Sequence, residues 1–438
     1  MHSTYRQIAV SSLVGLFLTA STAFCAPVPS TLRADGTILV DGKPFFPFGF
    51  YSRWNYSHAE RLYEIKKLGD AGFNAYWGEA NNCTLDEYDR LLDSADRHKI
   101  KIFTKHFTLN GSETDMSLVN RFKQKPAVLG WGIADDAQVH YTAAQVATMH
   151  TNVKAADPGH ITYISCTGAI LQDLTSLDQF SAASDVTAIQ WYPVTNTDLR
   201  WTYDAIRKLA ESARKSGHAS IANLQTYVAV SRYPTADEID IMTYMAVIAG
   251  VKGILHYTFE DGASSIDRTQ PDLWARCVQD NREIQSLATV LLDGTRTVPV
   301  ADNGKSLYAG CWKYQNEVCV VAVNASTGSQ TMTITVPAIS NGRLENPFTY
   351  RPGTMVLTGT TLSGTIGAYS VHLYRISNGS TGTHPLSPRV RDGAMRNKGI
   401  TLSVAGDKNS AAGVRIQTGK NSFVSLTGKA LKHTKGNP

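Results

Sequence analysis

The sequence predicts an α/β protein built on a (β/α)8 barrel and followed by a small antiparallel β-sandwich. Three observations predict it. Short apolar, strand-like runs alternate eight times with amphipathic stretches over about 250 residues. That is the pattern of a parallel sheet covered by helices and the count of a closed barrel. No GxGxxG or Walker loop is present, which favours the barrel over the competing doubly wound open sheet. From about Thr297 the pattern changes to short alternating strands separated by turn signals, as a sandwich requires.

In chain order, residues 1–25 read as a secretory signal peptide. Arg6 supplies the positive charge, Ile8 to Ala20 the apolar run, and Ala23 and Cys25 the small residues before a cleavage ahead of Ala26. The run is shorter than the ~20 apolar residues of a spanning helix. A secreted or periplasmic protein without stable membrane insertion is therefore expected. The barrel is expected over residues 26–295, after a leading hairpin around Asp35-Gly36 and Asp41-Gly42. Its strands are expected at Phe45–Tyr51, Phe73–Trp77, Ile100–Lys105, Val128–Ala134, Ile161–Ser165, Val186–Trp191, Ser220–Gln225 and Gly253–Thr258. Helices are expected at Ala59–Leu68, Leu85–His98, Ala143–Ala155, Thr202–Ser216 and Asp237–Ala249. The sandwich is expected over residues 296–376, with strands around Ser306–Trp312, Val318–Val323, Thr331–Val336 and Tyr369–Tyr374. Residues 377–438 read as a basic, low-complexity tail with weak strand-like pieces at Ile400–Val404, Gly413–Gln417 and Phe423–Leu426.

Hydrophobic residues make up 42% of the 438-residue chain and charged residues 18%, the composition of a packed protein. The formal net charge is +5, but the tail holds ten Lys/Arg against two Asp, which leaves −3 for everything before it. A mildly acidic body gives no footprint for nucleic acid. Cys83, Cys166, Cys277, Cys311 and Cys319 follow the leader, an odd number, so one thiol at least is free or bonded to another chain. A disulfide between Cys311 and Cys319, across a turn near Tyr314 to Asn316, is plausible by spacing. No Cys/His cluster has zinc spacing, and neither a metal nor a cofactor is expected.

The reactive groups of such a barrel come from the C-terminal ends of its strands. Those ends read Tyr51-Ser52-Arg53-Trp54, Trp77-Gly78-Glu79, Lys105-His106, Asp135-Asp136, Gln190-Trp191-Tyr192-Pro193, Gln225-Thr226-Tyr227, and His256-Tyr257 running on to Glu260-Asp261. Carboxylates mixed with Trp and Tyr suit a sugar. Aromatic faces cover the apolar side of a pyranose while carboxylates and amides bond its hydroxyls. Cleaving a glycosidic bond takes a protonated acid at the leaving oxygen and a second carboxylate, as nucleophile or as base for water.

Ala127-Val-Leu-Gly-Trp-Gly-Ile-Ala-Asp-Asp resembles the fourth-strand signature of the clan A glycoside hydrolases, in which the second acidic residue is the acid/base. Gln190-Trp-Tyr-Pro is similar to their sixth-strand end, where a Tyr lies near the nucleophile. Tyr233-Pro-Thr-Ala-Asp-Glu-Ile and the following Met245-Ala-Val-Ile-Ala-Gly-Val-Lys-Gly-Ile resemble a poorly characterised branch of that clan that also carries a C-terminal β-sandwich. The resemblance spans about residues 35–375. It implies a glycoside hydrolase with Asp136 as the acid, one methylene shorter than the usual Glu. It also implies a nucleophilic Glu at the end of strand seven, where this chain has Gln225, and a neutral amide cannot be that nucleophile.

Three readings stay open: Glu79 or Glu260 acts with Asp136, the strand-seven alignment is shifted, or the site binds sugar without cleaving it. The expected catalytic set is Asp136, Glu79 and Glu260. The expected sugar contacts are Asp135, Trp77, Arg53, Lys105, Trp191, Tyr192, Gln225 and Tyr257, with His106 and His256 as lesser candidates. The bland reading of Asp136 is a helix N-cap. The expected activity is hydrolysis of a poly- or oligosaccharide by an exported enzyme. The alternative is a non-catalytic carbohydrate-binding protein on a degenerate barrel, and a structural or adhesive surface protein is a third reading. Oligomeric state is not readable.

Overall fold

A computed structural model describes residues 28–52, 57–79, 83–105, 116–261, 264–302, 304–378, 415–418 and 422–425. For Glu79, Lys105, Asp261, Ser264 and the last two segments only the backbone is described. The expected leader, with Arg53, Trp54 and His106, lies outside the described residues. The chain divides into two compact units, Met1–Leu386 and Ser387–Pro438. In the second, Arg415–Thr418 pairs antiparallel with Ser422–Ser425, where two of the three strand-like pieces of the tail fall.

In the first unit, eight parallel strands close into a barrel. They are Phe48–Tyr51, Ala75–Glu79, Lys101–Lys105, Val128–Ala134, Ile161–Thr167, Val186–Trp191, Ala219–Gln225 and Gly253–Tyr257. Alternation sets the two faces of the wall. Tyr51, Ala75, Trp77, Phe103, Leu129, Ile161, Tyr163, Val186, Ala188, Ala219, Ile221 and Leu255 form one buried cluster inside. Their neighbours, such as Phe48, Phe50, Tyr76, Ile102, Trp131, Ile164, Ile189 and Leu224, join the layer between strands and helices. Four helices open on reciprocal caps: Ser57 with Glu60, Thr84 with Glu87, Thr142 with Gln145, and Thr235 with Glu238.

Ahead of the barrel, Ser30–Leu32, Ile38–Val40 and Lys43–Pro44 make a three-stranded sheet. Ser30 donates its amide to Gly159 O at 2.9 Å, and its hydroxyl accepts from the Ile161 amide at 3.1 Å. Ile38 is buried in the interior cluster. This sheet therefore closes the end of the barrel at which the strands begin.

The sandwich pairs a five-stranded sheet with a three-stranded one. The strand Glu317–Asn324 shows its logic. Val318, Val320 and Ala322 face the core between the sheets, while Cys319, Val321 and Val323 face the barrel's helices. The helix Ala236–Ala249 is buried from Ile239 to Ala249, because it lies between the barrel strands and this sheet. The same alternation corrects the disulfide expectation. The two-residue turn Gln315-Asn316 pairs Cys311 with Val320 and Trp312 with Cys319, so the two sulfurs point to opposite faces, and both thiols are free. Burial pushes each up to about 12.

Candidate functional site

The fourth strand contributes the two carboxylates. Gly132 keeps that strand inside the wall: a Cβ there would lie 2.3 Å from the Trp77 ring, so only glycine admits the indole across the barrel. Beyond Ala134 the chain turns sharply. Asp136 holds a left-handed backbone, φ 49°, a conformation that Asp adopts more readily than most non-glycine residues. It stands ahead of the short helix Ala137–His140 but makes no side-chain cap there, so the N-cap reading does not describe it. Its carboxylate instead accepts from Gln190 Nε2 at 2.6 Å, and the same nitrogen reaches Asp135 Oδ1 at 3.3 Å. Gln138 locks the turn to the end of strand five, accepting from the Thr167 amide at 3.2 Å and donating to its hydroxyl at 2.5 Å.

Beneath the carboxylates a polar network runs across the barrel. Gln190 Nε2 also reaches Ser165 Oγ at 3.2 Å, and Asn223 Nδ2 reaches the same oxygen at 3.1 Å. Asn223 Nδ2 further donates to Tyr51 Oη at 2.9 Å, and the Tyr51 and Tyr163 hydroxyls meet at 2.6 Å. Burial, then Tyr163, then the charge of Asp135 push the Tyr51 phenol well above its ordinary value. For Tyr163 burial dominates, and Asp135 adds in the same direction. These phenols stay neutral and act as hydrogen-bond groups rather than bases.

Beside them stands an aromatic wall. The Tyr192 ring lies 5.2 Å from Tyr227 and 5.8 Å from Tyr257, and Tyr257 lies 5.8 Å from Tyr51. A cleft of about 290 Å³ opens here, lined by Thr167, Gly168, Gln190, Trp191, Tyr192 and Asn196 among others. Its lining is mostly apolar side chain with a few amides and hydroxyls, the mixture that holds a small polar ligand by one face. Trp191 is fixed by donating its indole N–H to Thr202 Oγ1 at 3.0 Å.

The structure brings Asp135, Asp136, Trp191, Tyr192 and Tyr257 to this mouth and places Trp77 and Gln225 differently. Trp77 is fully buried, 5.1 Å from the Tyr51 ring and 4.6 Å from Tyr163, so it packs as the floor rather than as an open platform. Gln225 is fully buried. Its Oε1 accepts from the Val194 amide at 2.8 Å and its Nε2 donates to Tyr227 O at 3.1 Å, so its amide holds two loops together. Glu260 is buried in a short hairpin, close enough to Glu64 for its charge to push that carboxyl up. Burial is the larger cause, and Glu64 reaches about 8. Glu64 accepts from the Tyr76 hydroxyl on the helix-facing side of the wall. The charge of Glu260 is thus felt at that buried cluster.

His256 also points to the helices, 5.3 Å from the Phe48 ring and 5.0 Å from Phe50, and does not line the mouth. Glu79 pairs in backbone register with Lys105 at the ends of strands two and three. Their side chains, like Arg53, lie outside the described residues.

No family model matches the sequence, and no curated protein matches it. Solved structures do match in shape. A glycoside hydrolase superposes with a TM-score of 0.55 at 12% identity, over 82% of this chain and 99% of its own. A glycoside hydrolase family 5 structure from Bacteroides vulgatus gives 0.56 at 15%, over 80% and 93%. The α-amylase of Geobacillus thermoleovorans, solved with acarbose, gives 0.51 at 11%, over 76% and 99%. The fold is the (β/α)8 barrel that these enzymes share. At these identities the likeness is one of fold, and the chemistry of this barrel has to come from its own mouth.

Sequence reasoning placed Tyr51, Gln190 and Tyr227 at strand ends without giving them a role, and it missed Tyr163, Ser165 and Asn223. The period-two alternation carried the signal for four of them. Counting up from Ala188 puts Gln190 on the inner face, as counting from Ile161 puts Tyr163 and Ser165 there, and counting from Ile221 puts Asn223 there.

Proposed function

We propose that this chain is an exported protein that binds a glycan at the C-terminal mouth of its barrel and hydrolyses it with Asp136 as general acid. The observation that carries this reading is the arrangement of Asp136: no capping role, and a carboxylate held beside Asp135 by Gln190, which itself lines the cleft with Trp191 and Tyr192.

Glu79 is the second carboxylate in this reading. Glu79 pairs with Lys105, and Lys105 with Gly132, so two strand spacings, roughly 10 Å, separate strand two from strand four. We take the site as inverting, which needs carboxyl groups about 6.5–9.5 Å apart with a water between, where a retaining site needs ~5–5.5 Å. Asp136 gives its proton to the leaving oxygen. Water adds to the anomeric carbon and gives its proton to Glu79.

The test is sugar release by the purified full chain from a broad glycan panel, beside Asp136→Asn and Glu79→Gln, with the anomeric configuration of the product read by NMR. Release with inversion, lost in both variants while circular dichroism is unchanged, is the expected result. Undiminished release by Asp136→Asn rejects the assignment. A second reading, binding without cleavage, is favoured by the neutral amides Asn223 and Gln225 on strand seven. Saturable binding of one glycan without release by the native chain selects it.

A further inference from the structure

Trp201 is the one tryptophan among the described residues with an exposed side chain, at 58% exposure. It ends the 3-10 turn Leu199–Trp201, between strand six and the helix Thr202–Lys215, on the face of the barrel where the cleft opens. An exposed indole on a mobile loop would be unremarkable. This one sits on a turn clamped from three directions. The Asp198 carboxylate accepts from the Arg200 amide at 2.9 Å. Tyr308 of the sandwich donates its hydroxyl to the Arg200 carbonyl at 2.8 Å. Thr202, the next residue, takes the indole N–H of Trp191, which lines the cleft. Thr197 also lines the cleft, four residues before Trp201, so chain length alone keeps the two within about 14 Å. No ring contact covers the Trp201 indole among the described residues, whereas the ring of Tyr203, two residues on, packs 5.0 Å from Tyr308.

We propose that Trp201 is an outer stacking platform for a glycan chain that leaves the cleft past Trp191 and Thr197, so that the natural ligand is a polymer or long oligosaccharide rather than a mono- or disaccharide. This rests on the carbohydrate reading of the cleft. A rigid, pre-placed ring binds a sugar face at small entropic cost, because no loop has to be ordered first. The cleft of about 290 Å³ is at the small end for a ligand site, which leaves the rest of a longer chain to bind outside it. The sandwich gains a role as well, since Tyr308 holds the turn that carries the platform.

The test compares the native full chain with Trp201→Ala and Trp201→Phe, titrated with dimers and hexamers of the xylo-, cello-, laminari- and malto-oligosaccharide series. Thermal melts confirm that both variants fold. For the series that binds, Trp201→Ala is expected to weaken hexamer binding about five- to tenfold and leave dimer binding unchanged, with Trp201→Phe between. Hexamer binding unchanged in Trp201→Ala overturns the platform while leaving the cleft reading intact. Equal loss for dimers and hexamers also overturns it, by placing Trp201 in the cleft itself. If the native chain binds no member of any series, the carbohydrate reading falls and this inference falls with it.

Discussion

Replacing Arg351 with Met is expected to loosen the sandwich from the barrel, and the structure sets the size of the effect. Arg351 lies between the sandwich strands Arg343–Glu345 and Val356–Thr358 and is buried against two barrel helices. Its guanidinium grips Asp240 at 2.7 and 2.9 Å, Glu283 at 2.6 Å and Asp280 at 3.1 Å, and it lies 5.0 Å from the Tyr244 ring. Among the described residues Arg276 is the other cation near these carboxylates, at 3.8 Å from Asp240 and 3.9 Å from Asp280, and Tyr244 and Gln279 donate to Glu283. Burial, then the charge of Asp240, already push Asp280 well above the usual carboxylate range.

Removing one partner of a buried ion pair costs about 3–5 kcal/mol, because the charges left behind stay desolvated. With an unfolding entropy near 2.1 cal/mol/K per residue, the roughly 350 residues of barrel and sandwich give about 0.7 kcal/mol/K, so Arg351→Met is expected to melt about 4–7 °C lower. Differential scanning calorimetry at pH 7 measures this. Loss of the guanidinium raises Asp280 further, and the proton it then holds is given up only at higher pH. The deficit should therefore shrink toward pH 4–5 and grow as pH rises. A melt within 1 °C of the native chain, or a deficit that grows in acid, would refute the reasoning.

Other outcomes follow from single contacts. His256 is buried with neither ring nitrogen bonded among the described residues, and burial takes it down to about 3. A depressed histidine withdraws stability as pH falls below its unfolded value of about 6.5, by about 2 kcal/mol at pH 5, so His256→Phe is expected to flatten the urea midpoint between pH 7 and 5. Gly132→Ala puts a methyl into the Trp77 ring and is expected to cost roughly 1–3 kcal/mol. Pairing it with Trp77→Phe should recover part of that loss in thermal melts.

Much of the fold was legible because local signals and packing agree. The fourth strand was expected at Val128–Ala134 and is found there, since its run is apolar on both faces as a barrel strand must be. Helix ends followed their caps: Leu85–His98 was expected and Leu85–Arg97 is found, starting after Thr84. What local pattern does not carry is where a side chain goes after the strand stops. Glu260 lies only three residues past strand eight, yet a two-strand hairpin buries it where its charge reaches Glu64. Arg351 reads as a loop arginine, and its partners on Asp240, Asp280 and Glu283 are 68 to 111 residues away. The cysteine pair was within reach of sequence reasoning. A two-residue turn at Gln315-Asn316 fixes the register and with it the opposite faces of Cys311 and Cys319.

The inner face of strand seven rises through Ala219, Ile221 and Asn223 to Gln225, and what a carboxylate would do at its top separates a lapsed nucleophile from a structural amide. In Gln225→Glu, one oxygen still accepts from the Val194 amide, which lies 2.8 Å from the native Oε1. The other replaces a nitrogen that now donates to Tyr227 O at 3.1 Å and faces Val194 O at 3.5 Å. An ionised carboxylate would set an anion against two carbonyl oxygens at a fully buried site. It can satisfy them only by holding its proton, and leaving them unsatisfied costs about 1–3 kcal/mol. Gln225→Glu is therefore expected to lose stability as pH rises above about 4.3, the unfolded value of the new side chain, and to add nothing to sugar release. Melts from pH 4 to 8, run beside the glycan panel, measure both. If the variant is as stable as the native chain at pH 8 and releases sugar faster, then strand seven holds a nucleophile position awaiting its carboxylate, and the inverting role given to Asp136 and Glu79 is wrong.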